Sequence, residues 1–288
     1  MSQDLKEYIS SRLADGPVYM PYLTVGDPSR EATIRYAAAM IDAGADLMEL
    51  GLPFSDPTAD GPVIQAAMVR AMAQPGFNLS ATFDTIESIH KLRPKTPLVI
   101  LSYANPVLRG LRTGPDQPIA DSLDLFLGRA AQCGVRALVT PDLPFDSPEG
   151  GLLRKLGAGY GIDSILMAAP NSSDDRLRAI CAASRGFIYY VTSLGVTGVR
   201  QALPPELQER VALVRRLSGL PVLAGFGFSS PEQAAELAGV LDGIIVGSLN
   251  HRIIAESAER AEAELARVTA AFKAASRRPA LAAGEKEL

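Results

Sequence analysis

The chain has 288 residues, a formal net charge of −4, and an apolar fraction of 47%. This length suits a single α/β barrel, and the composition is that of an ordinary globular protein. The mild charge and the lack of any Lys/Arg block argue against a nucleic-acid surface, and no apolar stretch reaches membrane-spanning length. No secretory signal opens the chain, and Cys133 and Cys181 lack CxxC spacing. We therefore expect a soluble, cytoplasmic protein with reduced, buried thiols.

Short apolar runs alternate with helical patterns along the whole chain. The predicted strands cover residues 18–24, 46–51, 97–103, 136–140, 163–168, 186–192, 220–225 and 242–247. Near-continuous apolar strands are typical of parallel sheets that are covered on both faces, so eight of them predict a (β/α)8 barrel. The alternative is an open, doubly wound sheet, which gathers its ligand-binding loops at one switch point. The informative loops here follow strands one, two, six, seven and eight, which favours the closed barrel.

The helical segments carry recognisable start and stop signals. The Asp27-Pro28-Ser29 sequence predicts the start of a helix over residues 31–43. An extra helix is predicted over residues 4–13, ahead of the first strand, where it would plug the bottom of the barrel. The last helix is predicted over residues 255–276, and residues 109–121 are interpreted as a long polar loop. We expect one domain over residues 1–276 and a flexible tail over 277–288.

Two carboxylates flank the end of the second predicted strand. Glu49 lies inside an apolar run, and Asp60 lies in the turn-rich loop that follows. The period of two places Glu49 on the opposite side of the strand from Met48 and Leu50. We predict that Glu49 is a general acid–base whose pKa is raised by desolvation, and that Asp60 stays ionised on a wetter loop. The alternative is structural: Glu49 pairs with a helix cap, and Asp56 or Asp60 caps a turn.

Two glycine-containing segments at the ends of strands seven and eight predict a phosphate site. Gly225-Phe226-Gly227 follows the seventh strand, and Gly247-Ser248 follows the eighth and opens a helical segment. Small residues let backbone N–H groups approach an anion, and barrels often hold phosphate at these two loops. The alternative is close packing of glycines at strand ends. A further segment, residues 194–200, is interpreted as a mobile flap or as a plain flexible loop.

Several other chemistries lack the residues they need. No HxxxH, CxxC or His/Cys cluster is present, so we expect no catalytic metal. No GxSxG elbow supports a serine nucleophile, and no lysine lies within a predicted strand, which disfavours a Schiff-base aldolase. The two histidines stand alone: His90 is expected on a helix surface, and His251 near the rim of the site without an assigned role.

From about residue 20 to residue 256, the chain resembles the tryptophan synthase α subunit. The matching segments are residues 21–28 (PYLTVGDP), 49–65, 103–106 (YANP), 141–144 (PDLP), 186–191, 195–198 (GVTG), 225–227 and 246–248. Their order and spacing match together, which makes the resemblance specific. It implies a barrel lyase that cleaves indole-3-glycerol phosphate to indole and glyceraldehyde 3-phosphate.

The resemblance also implies roles for individual residues. Glu49 would be the general acid–base, and Asp60 would hydrogen-bond the indole N–H. The residues implied in phosphate binding are Gly198, Phe226, Gly227, Gly247 and Ser248. Those implied in the indole pocket and flap are Tyr22, Tyr189 and Thr197. Asp56 and Pro57 would contact a β subunit that holds pyridoxal phosphate, in an α2β2 assembly, and this chain would need no cofactor of its own.

The sequence also departs from the family pattern in places. Residues 249–252 (LNHR) replace a more apolar run, and the loop at 109–121 is longer than usual. None of these departures removes a catalytic group, but they bear on partner affinity and flap closure. Two alternative functions also stay open. One is a stand-alone lyase that releases indole, and the other is a catalytically weak activator or scaffold of a β subunit.

Overall fold

The fold is an eight-stranded parallel barrel, seen in a computed structural model that describes residues 4–191, 205–225 and 227–277. The strands are β1 (Val18–Thr24), β2 (Met48–Gly51), β3 (Leu98–Leu101), β4 (Val135–Val139), β5 (Asp163–Ala168), β6 (Ile188–Val191), β7 (Val222–Gly225) and β8 (Gly243–Val246). Each strand pairs in parallel with the next, and β8 closes the ring by pairing with β1. The predicted barrel is therefore confirmed.

Helices surround the barrel. They are α1 (Leu5–Arg12), α2 (Arg30–Asp42), α3 (Pro62–Met72), α4 (Leu79–Leu92), α5 (Ala104–Arg109), α6 (Ile119–Gln132), α7 (Pro148–Gly159), α8 (Asp174–Ala183), α9 (Pro205–Ser218), α10 (Pro231–Leu237), α11 (Ser248–Glu256) and α12 (Ala258–Ala275). None of the helices in the described ranges has the length and apolar character needed to cross a membrane.

The core has two layers. The outer layer lies between the strands and the helices, and the inner layer fills the barrel with alternate side chains of the strands. Leu5 and Ile9 of α1 belong to the inner layer, where they pack with Val18, Leu47 and Phe187. The extra N-terminal helix therefore closes the floor of the barrel, as its apolar positions predict.

Two predicted element boundaries are wrong. The predicted helix over residues 255–276 is two helices, because Ser257 adopts an extended conformation that ends α11 and starts α12. The predicted loop over residues 109–121 is shorter, since α5 includes Arg109 and α6 begins at Ile119. The tail predicted over 277–288 lies outside the described residues from 278 onward.

Candidate active site

Glu49 points into the mouth of the barrel. Its neighbours across the ladder are Tyr22 on β1 and Val99 on β3, and both belong to the inner layer of the core. Because side chains alternate along a strand, Glu49 shares that inward face while Met48 and Leu50 pack in the outer layer. Glu49 is only 1% exposed. The sequence prediction of an inward-facing carboxyl group is confirmed.

The carboxyl group of Glu49 is buried and, within the described ranges, has no charge partner. Burial raises its pKa from 4.5 to about 8, and the nearby carboxylate of Asp60 contributes to the increase. Among the described residues, nothing forms a hydrogen bond with its Oε1 atom. A buried polar atom without a partner is unusual in a folded protein and calls for a functional explanation. At neutral pH the group is a protonated acid with a proton to give.

Asp60 is held in place by Tyr103. The Tyr103 hydroxyl donates to Asp60 Oδ2 at 2.6 Å and accepts from the Ala59 backbone N–H at 3.2 Å. The Tyr103 ring also stacks on Phe54, with 5.4 Å between ring centroids. One aromatic side chain therefore fixes both the backbone and the carboxylate of the loop after β2. No role was predicted for Tyr103, although it stands at the end of the predicted third strand.

Asp60 is less enclosed than Glu49, since its side chain is half-buried. Burial raises its pKa from the ordinary value of a carboxylic acid, while the hydrogen bond from Tyr103 opposes that increase. The two carboxyl groups at the mouth thus lie in different surroundings, one apolar and one hydrogen-bonded. Pairs of this kind separate the roles of acid and of ionised partner. That Asp60 works in its ionised form remains a prediction.

Two buried tyrosines border the carboxyl groups. Burial raises the pKa of both Tyr22 and Tyr189, and the negative charges of Glu49 and Asp60 add to the increase, which places the four groups in one cluster. A side chain at Gly51 would overlap the Tyr22 hydroxyl, so that glycine is needed for the ring to lie across the mouth. The predicted pocket residues Tyr22 and Tyr189 are therefore brought together with the carboxyl pair.

Three of the predicted phosphate residues, Gly227, Gly247 and Ser248, lie at the ends of β7 and β8. Gly247 is the N-cap of α11, and Ser248 is the first residue of that helix. Because glycine has no side chain, Gly247 cannot cap the helix with a side-chain hydrogen bond. Gly227 follows β7 with a φ of +67°, a conformation that favours glycine. Uncapped amides at a helix N-terminus suit an anion. Three further predicted residues, Thr197, Gly198 and Phe226, lie outside the described residues, as does the predicted flap.

The structure corrects the expectation for His251. Its side chain is 0% exposed, so it is completely buried and not accessible at the rim. Its Nε2 atom accepts from the Thr24 backbone N–H at 3.0 Å, and its Nδ1 atom lies 2.8 Å from Asp27 Oδ2. Arg70 of α3 pairs with the same carboxylate through two hydrogen bonds of 2.7 and 2.8 Å. Although burial raises the pKa of Asp27, the hydrogen bonds from His251 and Arg70 outweigh it and lower the pKa.

The other histidine, His90, lies on α4 as expected and is half-buried. Its ring packs against Gly134, where an added Cβ would lie 2.3 Å from Nδ1. In the described ranges, no group of three or more His, Cys, Asp or Glu side chains is arranged to hold a metal ion.

The predicted partner loop is accessible. In the segment after β2, Asp56 is exposed and Pro57 is half-exposed. The same segment leads into Ala59 and Asp60, which Tyr103 holds. A protein that docks on Asp56 and Pro57 would therefore contact the loop that carries one of the two mouth carboxylates. The docking itself remains a prediction.

A cleft of about 440 Å³ lies at the opposite end of the barrel. Its charged lining residues are Asp4, Lys6, Arg136, Asp163 and Arg185. It contains neither Glu49 nor Asp60. Because catalytic groups of such barrels collect at the carboxyl ends of the strands, we locate the site at the mouth and not in this cleft.

The sequence and the fold both match known proteins. The family model described as tryptophan synthase alpha chain matches residues 10–278. The chain is 43% identical over 249 residues to the tryptophan synthase alpha chain of Leptospira borgpetersenii serovar Hardjo-bovis (strain JB197), covering 86% of this chain and 90% of that one. It is 39% identical over 271 residues to the alpha chain of Geobacillus kaustophilus (strain HTA426), covering 94% and 96%.

Solved structures give the same match. A crystal structure of the tryptophan synthase alpha chain from Legionella pneumophila superposes with a TM-score of 0.80 at 29% identity, covering 95% of this chain and 97% of that one. A structure of Mycobacterium tuberculosis tryptophan synthase superposes with a TM-score of 0.81 at 31% identity, covering 97% and 100%.

Proposed function

The chain belongs to the tryptophan synthase alpha chain family and serves tryptophan biosynthesis as an alpha subunit, and from that premise we propose that it cleaves indole-3-glycerol phosphate to indole and glyceraldehyde 3-phosphate. One observation supports this reaction above all others. Glu49 is a fully buried acid with a pKa of about 8, its Oε1 atom has no hydrogen-bond partner in the part of the chain that the structure describes, and it shares the mouth of the barrel with Asp60.

The reaction needs two proton transfers at one carbon–carbon bond. The protonated carboxyl group of Glu49 donates its proton to the indole ring carbon that carries the glycerol chain. The resulting carboxylate accepts the proton of the neighbouring hydroxyl group. The bond between the two carbons then breaks, its electron pair returns to the indole ring, and the hydroxyl carbon becomes an aldehyde. The proton given and the proton received balance, so Glu49 ends the cycle as it began.

Asp60 supports the charge that builds up on the ring. Protonation of the ring carbon leaves positive charge at the ring nitrogen, and an ionised carboxylate that accepts the indole N–H stabilises it. Tyr103 holds that carboxylate at 2.6 Å, so little reorganisation is needed when the charge develops. Different surroundings thus equip Glu49 to transfer protons and Asp60 to carry charge.

The phosphoryl group would be anchored across the mouth from the carboxyl pair. The described residues proposed to bind it are Gly227, Gly247 and Ser248, and Gly198 and Phe226 are proposed with them. Amides at the N-terminus of α11 face a phosphate with favourable partial charges. Anchoring the phosphoryl end fixes the distance from the indole ring to Glu49, which is the positional contribution to rate.

We also propose the setting of the reaction. Proton transfer by Glu49, with Asp60 as the ionised partner, requires no metal and no cofactor in this chain. The exposed segment around Asp56 and Pro57 would dock on a tryptophan synthase β subunit, in an α2β2 assembly that holds pyridoxal phosphate in the β chain. The assembly would work in the cytoplasm.

Replacement of Glu49 by glutamine tests the proposed chemistry. Glutamine keeps the shape of the side chain and removes the transferable proton, so we expect kcat for indole release to fall by at least about 100-fold. The matched control is Glu31→Gln, at an exposed glutamate in the first turn of α2, which should cleave as the wild type does. Indole release is measured with the isolated chain and again with the β subunit added.

The outcomes separate the proposed function from its two alternatives. Slow cleavage alone with a large increase on addition of the β subunit supports an alpha subunit. Equal cleavage with and without it supports a stand-alone lyase. Activation of the β reaction by a chain that does not cleave supports a scaffold. A Glu49→Gln protein that cleaves at the wild-type rate would contradict the assignment of Glu49.

A further inference from the structure

His251 joins the predicted phosphate helix to the first strand of the barrel. It lies on the first turns of α11, one turn after Gly247 and Ser248, and is completely buried. Its Nε2 atom accepts the backbone N–H of Thr24 at 3.0 Å. Thr24 is the last residue of β1, two residues after Tyr22. A single side chain therefore connects the turn that is proposed to bind the substrate phosphate to the strand end that borders Glu49.

The second ring nitrogen extends this connection to the loop of Asp60. A nitrogen that accepts an N–H carries no proton, so the proton of the neutral ring is on Nδ1 and is donated to Asp27 at 2.8 Å. Asp27 accepts two hydrogen bonds from Arg70, which lies on α3. Helix α3 begins directly after Gly61, the residue that follows Asp60. The chain of contacts from α11 to α3 is continuous and buried at Asp27 and His251.

The residues next to His251 on α11 also contact Tyr22 of β1. Asn250 is also fully buried, and its amide donates to the carbonyl oxygens of Tyr22 at 3.2 Å and Val246 at 2.8 Å. The His251 ring meets the Tyr22 ring edge to face, with 5.6 Å between centroids. Gly247 packs against Tyr22 so closely that an added Cβ would lie 3.3 Å from the ring. The first turn of α11 is therefore packed closely against Tyr22 of β1.

We propose that His251 is a positioning residue, whose neutral Nδ1–H form fixes the N-terminal turn of α11 relative to Glu49 and Asp60. The proposal rests on the proposed phosphate-dependent cleavage, since the turn matters because the substrate phosphate binds there. His251 does not contact substrate. It sets where the phosphoryl group sits, and through that the distance from the reacting carbons to Glu49. Polar residues at 250 and 251 thus have a role on a helix whose inner positions would otherwise be filled by apolar side chains.

The test compares three substitutions at one position with a neighbour on the same helix. His251→Leu removes both hydrogen bonds. His251→Gln places a carbonyl oxygen near the position of Nε2 and restores the acceptor for Thr24. His251→Asn is too short to reach that N–H. The control is Arg252→Ala, at an exposed position beside it. Thermal melting of each variant establishes that the protein is folded before it is assayed.

Four quantities are measured for each variant: KM and kcat for indole-3-glycerol phosphate, the affinity for glycerol 3-phosphate, and the affinity for indole. For His251→Leu we expect a rise of about 10-fold in KM and an equal loss of glycerol 3-phosphate affinity, less than the about 100-fold cost of an ångström-scale misplacement. Indole affinity should not change, and kcat should change less than KM. His251→Gln should recover most of the phosphate affinity, and Arg252→Ala should equal the wild type.

Contrary outcomes are equally specific. A His251→Leu protein with wild-type KM and phosphate affinity overturns the proposal, and so does an equal loss of indole and phosphate affinity, which would show general loosening of the barrel. If His251→Leu does not fold, the comparison of Gln with Asn decides, because only Gln restores the Thr24 contact; equal phosphate affinity in both overturns the proposal. A wild-type chain that binds glycerol 3-phosphate but does not cleave would refute the proposed reaction and leave the binding comparison intact.

Discussion

Two buried carboxyl groups at opposite ends of β2 have opposite surroundings. Asp46, just before the strand at the floor of the barrel, is 3% exposed, and Glu49, within the strand at the mouth, is 1% exposed. Asp46 Oδ2 accepts the Tyr19 backbone N–H at 2.8 Å and pairs with the Lys273 ammonium group at 2.6 Å. Glu49 has no cation and leaves Oε1 without a partner among the described residues.

The contrast shows how one barrel separates stability from chemistry. A buried charge is tolerated when hydrogen bonds and a counter-charge replace its hydration, and Asp46 meets both conditions. Lys273 lies on α12, so this pair also ties the last helix of the barrel to its first two strands. Glu49 meets neither condition, and its pKa rises to about 8 as a result. The protein leaves a group unsatisfied where a substrate is expected to satisfy it.

The largest effect is expected at the floor, from Lys273→Met. Removing the Lys273 ammonium group leaves the buried Asp46 carboxylate with the Tyr19 N–H and the half-exposed Arg12 guanidinium, 3.8 Å from Oδ1, as its remaining partners. Breaking a buried ion pair in this way costs up to about 3–5 kcal/mol of the free energy of unfolding. Urea denaturation measures that loss. The surface pair of Lys91 with Glu87 supplies the control, since Lys91 is 71% exposed and Lys91→Met should leave stability unchanged. Folded Lys273→Met protein should cleave at the wild-type rate; a rate loss at full stability would mean that the floor takes part in the chemistry.

The opposite change in the free energy of unfolding is expected at the mouth, where Glu49→Gln should stabilise the protein. The pKa of Glu49 is 4.5 in the unfolded chain and about 8 in the fold, so between these values the folded state holds a proton that the unfolded state has released. The stability of the wild type therefore falls as pH rises from about 4.5 to about 8, by roughly 3 kcal/mol at pH 7. Because glutamine does not titrate, the Glu49→Gln protein does not lose this stability as pH rises.

Urea denaturation of both proteins at pH 5, 7 and 8.5 checks this effect. The advantage of Glu49→Gln should be small at pH 5, grow through pH 7, and level off above about pH 8. A difference that does not vary with pH would show that Glu49 is ionised in the fold. The proposal that it donates a proton at neutral pH would then fail with it.

The sequence predicted the fold better than the ends of its elements. Eight apolar runs between helical patterns are a strong signal, and the closed barrel of the described residues confirms it. The third strand was predicted over residues 97–103, but the ladder covers only Leu98–Leu101, and Tyr103 is already the N-cap of α5. An apolar residue is buried equally well in a strand or in the turn that follows, so apolar periodicity alone does not show where hydrogen bonding stops.

The part of the candidate site that lies within one strand was predictable from the sequence. The inward direction of Glu49 follows from the period of a strand, and its raised pKa follows from the burial. The role of His251 was not predictable, because its partner Thr24 is 227 residues away in the sequence. The hold of Tyr103 on Asp60 depends likewise on how the loop after β2 folds back across β3. Long-range contacts of this kind leave no local pattern.

The smallest effect is expected from Tyr103→Phe, which alters the surroundings of Asp60 and leaves those of Glu49 unchanged. The hydroxyl that donates to Asp60 at 2.6 Å is lost while the ring and its stacking on Phe54 are kept. We expect kcat/KM to fall about 10-fold, equal to about 1.4 kcal/mol, because Asp60 is no longer held for the ring nitrogen. The hydroxyl lowers the pKa of Asp60, so without it that pKa rises, and the acid limb of the pH profile should move to higher pH.

Another tyrosine–aspartate hydrogen bond, which lies on the surface, provides the control for this substitution. The Tyr160 hydroxyl donates to Asp124 at 2.9 Å, far from the mouth, and Tyr160→Phe should alter neither kcat/KM nor the pH profile. If Tyr103→Phe lowers the rate without moving the acid limb, Tyr103 acts on the backbone of the loop through Ala59 and not on the Asp60 carboxylate. If it moves the acid limb but leaves the plateau unchanged, Asp60 needs only its charge and not its position. Glu49 would then be the one carboxyl group at the mouth whose placement limits the reaction.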